Sequence, residues 1–222
     1  FSLNIMLYYI LDYLLPKFFL QYLKLSYADK RYTVKNLSKS GVLLFILVAV
    51  TPIIYNILSN GHWNNNYTHL LGTLYMSTDV TGLLIVPNLA PATKIHHKTV
   101  WVLSTLNMIS NYEVNGLHRA LVVLCYFSAV PYLVNTYLGC RHLDMPYIKQ
   151  KLVDIALYTY ATSVVINITL QHMYVLVWLP FNIVSAIYLG LYYLILYDDI
   201  KLIKYLYYKY KNSDELIKPK DC

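Results

Sequence analysis

Seven apolar stretches, at roughly 4–23, 41–58, 69–87, 92–111, 118–138, 152–170 and 174–197, punctuate this chain of 222 residues. Each is near the roughly 20 residues that a helix needs to cross a bilayer. Hydrophobic residues make up 58% and charged residues 13%, against about 25% charged in an ordinary soluble domain. The expected fold class is therefore all-α: a polytopic membrane protein of about seven transmembrane helices.

The net charge of +7 would suit a nucleic-acid ligand until the positions are read. Lys24, Lys30, Arg31, Lys35 and Lys39 fall between the first two stretches, Lys94 and Lys98 near the third turn, and Arg141, Lys149 and Lys151 near the fifth. Lys201, Lys204, Lys209, Lys211, Lys218 and Lys220 form the tail, so 16 of the 18 basic residues belong to connections on one side. The expectation is a luminal N-terminus, a cytosolic C-terminus and no nucleic-acid partner. Asn66-Tyr67-Thr68, a glycosylation sequon, falls on the luminal side. The tail ends Lys218-Pro219-Lys220-Asp221-Cys222, similar to a dilysine retrieval signal of the endoplasmic reticulum and equally readable as a plain basic tail. Phe1 is not an initiator methionine, so further N-terminal sequence is expected. Cys125, Cys140 and Cys222 give no disulfide framework.

Polar groups at membrane depth are costly and usually face a bundle interior. Asp79 lies inside the third stretch; His96 and His97 open the fourth. A hairpin folded about Asn88 sets Asp79 and His97 level, each nine residues from the pivot and about 13 Å from the turn. Adjacent helical residues diverge by about 100°, so only one histidine is expected to face Asp79. A carboxylate beside an imidazole can fix its tautomer for nucleophilic or base chemistry. A purely structural Asp–His pair would have the same sequence. Tyr75 and Gly82 share the face of Asp79; Asn111, Ser128 and Asn135 are weaker candidates for lining a cavity, because small polar residues also tie helices together. Pro52, Pro131 and Pro180 are candidate kinks. His118, His142 and His172 are scattered and form no HxxxH or HxxHH cluster, so no metal and no cofactor is expected.

Around these residues the sequence resembles the TLC-domain family, best known for ceramide synthases. LGTLYMSTD (71–79) is similar to its Gly-Tyr-x-x-x-Asp span, IHHKTVWVL (95–103) to its double-histidine helix, and YFSAVPYLVN (126–135) to its Glu-x-Ser-x-Pro-Phe-x-Asn segment. KNLSKSG (35–41) is similar to the start of its first core span. The likeness runs from about 35 to 200. Tyr126 stands where many members carry Glu, and the acidic residues that ceramide synthases place after the double histidine have no counterpart in 117–131. Fatty-acid elongases are more distantly similar, with Thr93 in place of the first His of their HxxHH. The resemblance implies a ring of six helices around a lipid-accessible cavity, a seventh helix outside it, the paired histidines near an acyl-chain site, and an endoplasmic-reticulum-type membrane.

The expected organisation is a first transmembrane helix and basic loop (1–34), a TLC-like six-helix domain (35–200) and a basic tail (201–222). The expected function is binding or modifying lipid acyl chains, by acyl transfer if it is catalytic, with His97 or His96 as nucleophile or base and Asp79 as its orienting acid. Membrane lipids, and other membrane proteins, are the expected partners. The alternative is a non-catalytic structural component of a larger assembly in an organelle or virion membrane.

Overall fold

The computed structural model describes residues 2–178 and 182–212, and every element among them is helical. Helix α1 (Ser2–Phe18) breaks at extended Phe19 into the short α2 (Leu20–Leu23). Then come α3 (Tyr27–Asn60), α4 (Asn65–Ile85), α5 (Pro91–Ile109), α6 (Arg119–Ala129), α7 (Tyr132–Cys140), α8 (Pro146–His172), which widens into π-type turns over Met173–Trp178, and α9 (Ile183–Lys211). Three helices are long and apolar enough to cross a membrane, and a fourth crossing results if α6 and α7, bent by 42°, count together. The other apolar stretches fall short for visible reasons. Helix α1 has 17 residues, while α4 and α5 are diluted by polar side chains, Asp79, His96 and His97 among them.

Local chemistry sets the ends. Ser26, Asn64 and Asn182 cap α3, α4 and α9 by accepting from the backbone N–H of Asp29, Tyr67 and Ser185. Gly61, at φ 64°, closes α3 in the left-handed region. In the α4–α5 turn Asn88 adopts φ 58°, which asparagine tolerates better than most residues, and Pro91 opens α5 where its missing N–H costs nothing. The hairpin pivots where the sequence placed it.

Packing closes a ring. Helix α3 packs on α4, α4 on α5, α5 on α9, α9 on α8, and α8 on α6 and α7, which return to α3; α1 lies outside against α3 and α4. The break at Pro131 belongs to this ring. Proline has no N–H to give the Phe127 carbonyl, and the Ser163 hydroxyl of α8 donates to it instead. Ser40 of α3 likewise donates to the Tyr132 carbonyl, 3.1 Å away. Of the other candidate kinks, Pro52 sits inside an uninterrupted α3 and Pro180 lies outside the described residues. So do Lys218, Lys220 and Cys222.

Two expectations change. The stretch holding Lys30, Arg31, Lys35 and Lys39 is no loop: α3 begins at Tyr27, and Lys35 and Lys39 are buried in the bundle at 6% and 9% exposure. The boundaries at 34/35 and 200/201 consequently fall inside α3 and α9. A loop reading followed charge alone, whereas the long stems of lysine can lie along apolar surface.

Candidate functional site

Helices α4 and α5 run antiparallel from the Asn88 turn and bring Asp79 to His97: Asp79 Oδ1 lies 2.8 Å from His97 Nδ1. Asp79 is fully buried and His97 is 3% exposed. The ring is turned so that its N–H direction misses the oxygen, and neither His97 nitrogen has an aligned hydrogen-bond partner among the described residues; Asp79 Oδ2 has none either. The closest partner of Asp79 is one the sequence did not suggest. Lys39 of α3 donates its ammonium to Asp79 Oδ1, forming a buried Lys–Asp–His trio across three helices. The available signal was the i, i+4 spacing of Lys35 and Lys39 in a stretch that continues into the apolar run from Gly41.

His96 diverges from its neighbour, as helical geometry requires; the two rings are 5.5 Å apart at 84°. It faces α9, with Nδ1 3.5 Å from Asp198 Oδ2 and 3.8 Å from Asp199 Oδ1. Those two acids, also missed from sequence because they sit at the basic end of the last helix, have further donors. Thr93 donates to Asp198 at 3.2 Å and Tyr160 to Asp199 at 2.6 Å.

Asp79, His96 and His97 each offer a donor atom within 4.8 Å of the other two, close enough to consider a metal ion. The donor set does not suit one. Lys39 already holds Asp79, and a second cation beside that ammonium would meet a repulsion of about 4 kcal/mol per unit charge at 4 Å and an effective dielectric of 20.

The ring encloses a cavity of about 620 Å³, within the roughly 300–1,000 Å³ of small-molecule sites. Its mouth is framed by the 86–91 turn, Asp29, Arg141, Lys201 and Tyr205, the end where the basic connections gather. His142, next to Arg141 and outside the cavity lining, accepts from it at 2.9 Å, and burial together with the neighbouring guanidinium lowers its pKa. Farther in, His96, His97, Tyr75, Phe127 and Ser163 form the wall. Tyr75 also lines a second, apolar hollow of about 40 Å³ bounded by Ile46, Val50, Leu103, Leu121 and Leu124. It stands between the polar chamber and an oily one.

Of the residues expected to line a cavity, Tyr75, Ser128 and Asn135 do so. Gly82 serves close packing: a Cβ there would stand 2.9 Å from Lys35 Cε and 3.6 Å from His97 Nε2. Asn111 is misplaced by the sequence reading. It lies beyond the far end of α5, where its side chain accepts from Asn65 at 2.9 Å, and it is absent from both cavity walls. Asn66 is exposed at the start of α4, while the Thr68 hydroxyl of its sequon is buried and donates to the Asn64 carbonyl at 2.8 Å.

Comparisons of this chain with models of protein families, with curated proteins and with solved structures found no match.

Proposed function

We propose that this chain is an integral membrane protein of TLC-like type, crossing an endoplasmic-reticulum-type membrane seven times with its basic end cytosolic, and that its ring of six helices binds a lipid acyl chain. One observation carries the reading: a cavity of about 620 Å³ reaches a buried Asp79–His97 pair whose imidazole has no aligned partner. Polar atoms left open at such depth are expensive unless a ligand or reaction uses them. The closed ring with α1 outside, and the cationic mouth, support the same reading. Where the site is catalytic, the chemistry is acyl transfer. A small turn of the ring would point Nδ1–H at Asp79, leaving the Nε2 lone pair of His97 to attack an acyl ester or thioester carbonyl and expel its alkoxide or thiolate, or to take the acceptor's proton as the acceptor makes that attack.

The test is mass spectrometry of lipid co-purifying with the full chain, beside acyl turnover in wild type and His97→Ala. Acyl lipid in both proteins, with turnover lost in the variant, is the expected result. Turnover unchanged in His97→Ala removes catalysis and leaves lipid binding. If no acyl lipid binds either protein, the alternative stands, a non-catalytic component of a membrane assembly. A glycosylation reporter fused after Cys222 should remain unmodified in microsomes; its modification overturns the orientation.

A further inference from the structure

The cations on the cavity wall are not equally partnered. Lys39 is held by Asp79. Arg141 rests on the Tyr32 ring, 4.4 Å from its centre, and donates to His142 and Tyr205, but has no carboxylate within 4 Å among the described residues. Lys35, one turn before Lys39 and 94% buried, lines the cavity with neither a hydrogen bond nor an ion pair to any described residue. A buried ammonium with no partner is costly. No carboxylate of a described residue pairs with it within 4 Å: Asp79 is taken by Lys39, and Asp198 and Asp199, on α9 across the ring, are engaged by His96 and Thr93 of α5 and Tyr160 of α8. Gly82 leaves room for the Lys35 stem to reach the cavity wall: a Cβ there would stand 2.9 Å from Cε and 3.8 Å from Nζ.

We propose that Lys35 is an anion-binding subsite in the wall of the cavity, taking a carboxylate or phosphate group and supported from the mouth by Arg141. Resting on the acyl-chain reading above, the subsite narrows the ligand class to acyl lipids with an acidic head. The head sits against α3 between Arg141 and Lys39, and the chain runs past Tyr75 toward the apolar hollow. Asp198 and Asp199 line the same cavity from α9, and their repulsion keeps an acidic head on the α3 side.

The test is binding to the full chain in neutral detergent, using oleate, oleyl alcohol, dioleoyl phosphatidic acid, dioleoylglycerol and inorganic phosphate as probes, on wild type, Lys35→Met and Lys35→Arg. The expected result is a preference of about tenfold or more for each acidic lipid over its neutral counterpart, since charge-assisted hydrogen bonds contribute about that much. The preference should fall below about threefold in Lys35→Met and survive in Lys35→Arg. Oleate without phosphatidic acid assigns a carboxylate head, the reverse a phosphate head. Equal binding of oleate and oleyl alcohol, and of the two glycerolipids, overturns the subsite and leaves the acyl reading intact. Phosphate binding that needs Lys35, with no lipid bound, keeps the subsite and overturns the acyl reading. No binding of any probe overturns both. Should Lys35→Met fail to fold, the wild-type preference for charged over neutral heads, and its loss in high salt, decides the matter.

Discussion

Removing the charge of Asp79 is the sharpest perturbation the structure offers, because the carboxylate is fully buried and answers both Lys39 and His97. In Asp79→Asn the Lys39 ammonium, with a side chain only 10% exposed, loses its counter-charge without gaining water. Breaking a buried ion pair by removing one partner costs about 3–5 kcal/mol. At about 2–4 °C per kcal/mol for a chain of this size, the expected fall in Tm is on the order of 10 °C. Lys39→Met leaves the Asp79 carboxylate without its ammonium and should cost a similar amount. In the double variant Lys39→Met/Asp79→Asn no orphaned charge remains, so it should be more stable than Asp79→Asn by about 1–2 kcal/mol, a coupling that independent sites do not show. Thermal unfolding of the four proteins in one detergent measures this. A Tm of Asp79→Asn within about 2 °C of wild type, which at the same scale is under about 1 kcal/mol, or a double variant no more stable than Asp79→Asn, would refute the trio as a charge-compensated unit.

Other outcomes follow from single contacts. Ser163→Ala leaves the Phe127 carbonyl, already without a proline N–H, unpaired; a loss of about 1–3 kcal/mol in thermal unfolding is expected, and a neutral result would mean another donor serves that carbonyl. Gly72→Ala should destabilise by about 1–3 kcal/mol, since its Cβ would meet the Asn107 amide at 2.6–2.7 Å and that amide accepts from Tyr112 at 2.5 Å. Gly82→Ala crowds the flexible stem of Lys35 at 2.9 Å, touches His97 Nε2 at an ordinary 3.6 Å and gains up to about 1 kcal/mol of helix propensity, so its Tm should stay level or rise. His142 has its pKa lowered by burial and by Arg141, so the unfolded chain binds its proton more readily. Its contribution is complete above the unfolded pKa of about 6.5 and is lost as pH falls below it. Tm should therefore drop less between pH 7 and 5 in His142→Asn than in wild type.

The parts of this molecule legible in its sequence are those governed by local rules. Hydropathy located the apolar stretches, Pro91 and Asn88 located the hairpin, and rise per residue set Asp79 level with His97 because both flanking helices are unbroken. The number of stretches able to cross a membrane was less legible, because the polar residues that build a site also lower the hydropathy of the helices holding them. What escaped was tertiary. Lys39 and Asp79 are 40 residues apart, and His96 and Asp198 lie on helices whose adjacency follows only from closure of the ring. Asn111 misled for the opposite reason. It lies two residues past the end of α5, where a polar residue has a loop to bind and no interior to face.

The break at Pro131 connects these levels. An intact helix across 119–140 would leave its backbone groups bonded within itself. The proline frees the Phe127 carbonyl, and neighbouring helices must then satisfy the broken segment: Ser163 from α8 and Ser40 from α3 reach across to do so. Phe127, Ser128, Pro131 and Ser163 line the cavity together with Tyr75, His96 and His97. Non-helical backbone at membrane depth is tolerated where it is buried in protein or lines a cavity, and here it does both. The segment YFSAVPYLVN therefore acts through geometry: its break at Pro131 lies in the wall of the same cavity that reaches His97 and Lys35.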